Sequence, residues 1–187
     1  MARPLRIQFP GAIYHLTTRG VDRQPIFRDR DDRLAFLRLL DRVATLDEFR
    51  IHAFCLMTNH VHLLVETPRG NVGTGMHRLL HRHARTFNHR HGRRGHLFEE
   101  RYGSSLLRSE EHLLSAARYI ALNPVRAGLC DDPAAWPWSS HRATAGLGPR
   151  PRFLVTDWLL GVLDARREVA HARYRDFIGA GTDTIGA

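Results

Sequence analysis

Between Asn59 and Glu66 the chain reads "NHVHLLVE", two histidines one residue apart inside an apolar run. Neutral imidazoles are common ligands for divalent cations and common proton carriers near neutral pH. On a strand, residues i and i+2 leave the same face, roughly 7 Å apart along the backbone. His60 and His62 could therefore converge on one ion, but they cannot complete a site alone. By itself the pair fits better as hydrogen-bonded, half-buried histidines in a chain that has 13 of them. "RYIALNPVRAGL" offers what is missing. It sets Tyr119 and Asn123 four residues apart at the end of a helix, on one side of it. The Asn123 amide oxygen could serve as a third ligand, with Tyr119 beside the ion. Pro124 disfavours the α conformation before it, so the helix is expected to stop at Asn123. Spacing alone also allows a core tyrosine and a plain helix-end asparagine.

One chemistry such a group could serve is phosphoryl transfer. A tyrosine hydroxyl ordinarily titrates at about 10 and is a weak nucleophile at neutral pH, and attack on a phosphodiester builds negative charge. A cation on two imidazoles and an amide oxygen answers both difficulties. Mixed nitrogen and oxygen ligation suits Mg²⁺ or Mn²⁺, with the histidines favouring Mn²⁺. A structural zinc site is not implied, because the closed set of four nitrogen and sulfur ligands is lacking.

These residues must be positioned by a β-α-β-β-α-β-α succession. Ala12 to Thr18 alternates as a strand, and "DRDDRLAFLRLLDRVATL" is an amphipathic helix with aspartates ahead of it. Ile51 to Met57 and His60 to Glu66 form two strands of a hairpin or near-hairpin. In the second, Val61, Leu63 and Val65 are the core set, so the histidine face points elsewhere. A helix from about Val72 to His89, a short strand near Tyr102 to Leu107 and a helix from Ser109 to about Leu122 follow. The first six elements fit an α+β, ferredoxin-like antiparallel sheet with helices on one face. "DDPAAWPWSS" is irregular and anchored by Trp136 and Trp138. "GLGPRP" leads into two short helices, so residues 1–145 are expected as the catalytic domain and 146–187 as a helical extension.

The 187 residues carry a formal net charge of +9 with no lysine, so all 28 basic side chains are arginine. Such a balance favours a polyanionic partner, nucleic acid before membrane. No run approaches a membrane span, and Cys55 and Cys130 lack metal or redox spacing, so a reducing cytoplasm is expected. The stretch Thr67 to Phe98 has no acidic residue and contains Arg78, Arg82, Arg85, Arg90, Arg93 and Arg94. An uncompensated stripe of this kind can neutralise successive phosphates.

Three ordered motifs, "TNHVHLLVETP", "RYGSSLL" and "HLLSAARYIALNPVRAGL…WPWSS", resemble the REP-associated tyrosine transposases. These belong to the IS200-like, HUH single-tyrosine transposases. The resemblance runs from Ile13 to about Ser140. Thr58, Phe98 and Gly103 depart from the usual pattern without touching the proposed reacting atoms. The resemblance implies that His60 and His62 are the metal-binding pair, Tyr119 the nucleophile and Asn123 the polar third ligand. It also implies a single-stranded DNA endonuclease and strand transferase acting beside hairpins of repetitive extragenic palindromes (REP). The intermediate would be a 5′-phosphotyrosine, with a divalent metal, no nucleotide cofactor, and a monomer or homodimer. The alternative is a hairpin-binding protein that has lost effective catalysis.

Overall fold

The computed structural model describes residues 7–181. Four strands, β1 (Ala12–Arg19), β2 (Arg50–Leu56), β3 (His60–Thr67) and β4 (Gly103–Leu107), form an antiparallel sheet in the order β2-β3-β1-β4. Helix α1 (Arg30–Leu46) connects β1 to β2, and α2 (Val72–Arg90) connects β3 to β4. Each connection skips one strand position, which puts β1 and β3 at the centre. This is the ferredoxin-like arrangement, an α+β fold.

Alternation along the central strands sorts their side chains between two cores. Ala12, Tyr14 and Leu16 of β1 join Val61, Leu63 and Val65 of β3 beneath α1 and α2. Leu64 points the other way, toward a second core with Ala53 and Cys55 of β2 and Ile120 of α3 (Glu110–Arg126). Two helices thus cover one face and α3 covers the opposite one. Because both faces are covered, β3 is buried through most of its length. Burial of each of its valines and leucines contributes about 1.5–3 kcal/mol.

Local chemistry places the helix ends. Asp29 caps α1 by accepting the Asp32 N–H at 3.0 Å. Ser109 caps α3 by accepting the His112 N–H at 3.2 Å, with Glu110 and Glu111 in its positive first turn. The expected stop at Asn123 is not what occurs, because α3 continues to Arg126 with Pro124 inside its last turn. Proline removes its own N–H from the ladder and crowds the carbonyl four residues back, a cost the surrounding packing must offset. Burial of Ile120, Leu122 and Pro124, with the Ala127 N–H reaching the Asn123 carbonyl at 3.0 Å, holds the turn together.

Trp136 and Trp138 anchor the irregular segment: the Trp136 indole N–H donates to the Leu56 carbonyl, and Leu56 N–H donates to the Trp138 carbonyl. After α4 (His141–Thr144), Leu154 bridges Ile51 and the Val155 N–H donates to the Ile51 carbonyl at 2.8 Å. Helices α5 (Asp157–Leu163) and α6 (Arg167–Gly179) put Leu160, Tyr174 and Ile178 into the second core beside α3. Both cysteines are free, Cys55 buried and Cys130 half-buried. Among the described residues no helix is long and apolar enough to cross a membrane.

Candidate active site

The site is built where the second face of β1 and β3 meets α3. In the β1–β3 ladder Thr17 lies opposite His62, and Arg19 opposite His60. His15, two residues from Thr17, shares their face. Tyr119 and Asn123 descend from α3 onto the same spot. The His60 and His62 rings lie 4.9 Å apart at nearly right angles, and the Tyr119 ring lies 5.3 Å from His62 and 5.7 Å from His15. The structure therefore brings His60, His62, Tyr119 and Asn123 together within one chain.

Hydrogen bonds orient the nitrogens. His60 Nδ1 meets the Asn59 side-chain oxygen at 2.7 Å, so this nitrogen donates and Nε2 keeps its lone pair. That lone pair faces the Asn123 Oδ1 at 3.4 Å, two acceptors opposed to each other. His62 Nδ1 pairs with His15 Nε2 at 3.0 Å, while His62 Nε2 is buried with no hydrogen-bond partner. Buried nitrogens without partners are costly. Burial also keeps the rings neutral. It holds His62 down to about 3, with His60, His15 and Arg19 adding to the effect. Burial likewise lowers His60, opposed by the Asn123 oxygen, which would favour a protonated ring, and aided by Arg19, and it lowers His15. An orphaned imidazole nitrogen beside two facing acceptors fits a divalent cation held by His60, His62 and Asn123.

A cleft of about 460 Å³ opens over these groups, with Tyr119, His60 and His62 on its floor and Arg19 and Arg101 among its walls. Glu99 and Glu100 share the rim. Gly103, the first residue of β4, is needed here: a Cβ would lie 2.6 Å from the Thr17 hydroxyl and close the gap between β4 and β1. Tyr119 is 40 % exposed, whereas Tyr14, Tyr102 and Tyr174 are buried. The Arg126 guanidinium stands 5.2 Å from the Tyr119 ring centre, a cation–π contact from the last turn of the same helix.

The basic residues divide differently. Helix α2 packs on the face of the sheet opposite His60 and His62, so its arginines lie on the other layer from the cleft. Charge on the stretch is compensated at three arginines, one of them Arg69, which pairs with Glu48. Arg78 Nε is 3.0 Å from Asp47, and Arg90 bonds Asp29 at 2.7 Å, Asp32 at 2.5 Å and Asp31 at 3.4 Å. Arg82, Arg85 and Arg94 are exposed and make no ion pair among the described residues; Arg93 lies over Phe87. Asp29, Asp32 and His91 present ligand atoms close enough for an ion, but Arg90 already neutralises this group and Asp32 also accepts the Arg28 N–H.

Sequence reasoning missed His15, Arg19, Arg101 and Arg126. His15 was available to the same alternation argument as His62, since Tyr14 and Leu16 flank it as core residues. Its place beside His62 depends on the β1–β3 register, which no local pattern reveals.

Comparison with known proteins bears on the family and the fold. A REP-associated tyrosine transposase of Haemophilus influenzae is 29% identical over 106 residues, covering 50% of this chain and 60% of that protein. The chain thus spans less than two thirds of that relative. A solved structure of a REP-associated tyrosine transposase bound to a REP hairpin superposes with a TM-score of 0.61 at 21% identity. That match covers 80% of this chain and 89% of the other, and shows the same fold. The model of the family Transposase IS200 like matches residues 8–123, and the chain belongs to that family.

Proposed function

We propose that this protein is a DNA transposase that cuts and rejoins single-stranded DNA beside a hairpin, with Tyr119 as its nucleophile. The observation that carries the reading is the exposed Tyr119, set against two neutral imidazoles of which one has an unsatisfied buried nitrogen. Tyr119 Oη attacks the phosphorus, a new P–O bond forms and the bond to the 3′-oxygen breaks. The phenol proton passes to solvent and the leaving oxygen takes one up. The products are a 5′-phosphotyrosine and a free 3′-OH, and attack by a 3′-OH reverses the step without a nucleotide cofactor. His60 Nε2, His62 Nε2 and Asn123 Oδ1 would hold Mg²⁺ or Mn²⁺, which supplies Lewis-acid polarisation of the scissile phosphate when bound. Arg19 and Arg101 hold neighbouring phosphates at the cleft walls, and Arg126 steadies the Tyr119 ring.

The hairpin partner is supported by the relative that was solved on one. Its duplex is placed along α2 and the loop that follows, where Arg82, Arg85, Arg93 and Arg94 offer charge; Arg78 and Arg90 serve the fold first. The loop from residue 91 to 102 connects that surface to the cleft. In this reading residues 1–145 form the catalytic unit and 146–187 the extension, whose helices α5 and α6 brace α3, and the protein works in the cytoplasm as a monomer or homodimer.

The test is incubation with hairpin DNA bearing single-stranded flanks, with Mn²⁺. The wild type should give a denaturation-resistant protein–DNA adduct, and Tyr119→Phe should bind the hairpin without forming one. Binding by the wild type with no cleavage of any strand offered would make it a hairpin-binding protein instead.

A further inference from the structure

We infer that His15 is a positioning residue, the hydrogen-bond acceptor that fixes the tautomer of His62 and so presents the His62 Nε2 lone pair to the cation site. The inference rests on the metal reading of that site. His15 Nε2 lies 3.0 Å from His62 Nδ1, and the rings are 5.2 Å apart. A neutral imidazole carries one N–H. If His15 donated, His62 would hold its proton on Nε2 and could not ligate. With His15 accepting, His62 keeps its proton on Nδ1 and Nε2 is free. The latter state leaves the buried His62 Nε2, which has no hydrogen-bond partner, as a lone pair open to a cation.

His15 does not join the ligand set itself. Among the described residues, the His, Cys, Asp and Glu side chains bring three ligand atoms within 4.8 Å of one another only at Asp29, Asp32 and His91. His15, His60 and His62 do not converge in that way. A parallel arrangement serves His60, whose Nδ1–H is held by the Asn59 oxygen. Both imidazoles are thus turned by a neutral acceptor, a role that carboxylates and carbonyls fill at many metal centres. Geometry on the strand explains why β1 supplies it: His15 is diagonal to His62 across the β1–β3 pair, within reach of a side chain of this length.

Two readouts test this on the full chain, using His15→Leu and His15→Gln. The glutamine oxygen reaches about as far as Nε2 and can accept the same hydrogen bond. Long-range ¹⁵N NMR of the metal-free protein near neutral pH should find His62 as the Nδ1–H tautomer in the wild type and His15→Gln. His15→Leu should show the Nε2–H form or a mixture. Titration with Mn²⁺ should give a loss of about 10–100-fold in affinity for His15→Leu and near wild-type affinity for His15→Gln. His62 found as Nε2–H in the wild type would overturn the inference, as would unchanged affinity and tautomer in His15→Leu. Loss in His15→Gln as large as in His15→Leu, with hairpin binding intact, would overturn the acceptor role. Wild-type protein that binds no divalent ion but shows the Nδ1–H tautomer would overturn the metal reading and, with it, what His15 positions His62 for.

Discussion

In the proposed reading, Asn123 decides whether the histidine pair becomes a three-ligand site. Its buried oxygen faces the His60 Nε2 lone pair, a contact that is repulsive unless a cation or a proton lies between. Asn123→Asp keeps an oxygen there and adds charge, so Mn²⁺ affinity by titration should hold or rise. Asn123→Leu has similar volume and no donor, and affinity should fall by about tenfold or more. Wild-type affinity in Asn123→Leu would remove this residue from the ligand set. At this scale much was legible. The i, i+2 spacing of His60 and His62 and the i, i+4 spacing of Tyr119 and Asn123 fix which side chains share a face. What spacing could not supply was that the two faces meet, since β3 and α3 are joined only through the fold.

The arginines of α2 separate by their neighbours. Arg78 and Arg90 tie α2 to Asp47 and to the start of α1, while Arg82 and Arg85 face solvent. Replacing Arg82 and Arg85 together with alanine should flatten the slope of log affinity against log salt by about 2, one for each phosphate no longer neutralised. Arg78→Ala should lower the melting temperature and leave that slope unchanged. An unchanged slope in the double variant would take α2 off the DNA surface. The charge excess of this stretch was plain in the sequence, but its compensation was not. Asp29, Asp31, Asp32 and Asp47 stand far earlier in the chain, and only the packing of α1 against α2 brings them to Arg78 and Arg90. The extension of α3 past Pro124 was hidden for a similar reason: local preference marked a stop, and burial of that turn outweighed it.

Across the whole molecule, one sheet separates two cores and puts the candidate reacting groups on the side that α3 covers. Each core buries a neutral histidine outside the site. Burial holds His83 at about 4, against its bond to the Ile26 carbonyl and the nearby Asp32. Burial holds His141 at about 4 as well, with Asp132 opposing and Arg142 assisting. In the unfolded chain a histidine titrates at about 6.5, so between the two values the unfolded state binds more protons. Stability from these two residues is therefore complete above about pH 6.5 and is lost as pH falls toward 4. The melting temperature should drop steadily across that window, and a flat profile would contradict the buried, neutral assignment. Fold class was readable from the order and alternation of the first six elements. The packing of residues after 145 into the second core was not, because their contacts to β2 and α3 follow no sequence period. The proposed reaction requires that Tyr119 be the residue that takes up the DNA. Proteolysis of the covalent adduct followed by mass spectrometry should find the nucleotide on the peptide containing Tyr119. Attachment at Tyr102, Tyr14 or any other residue would contradict the account.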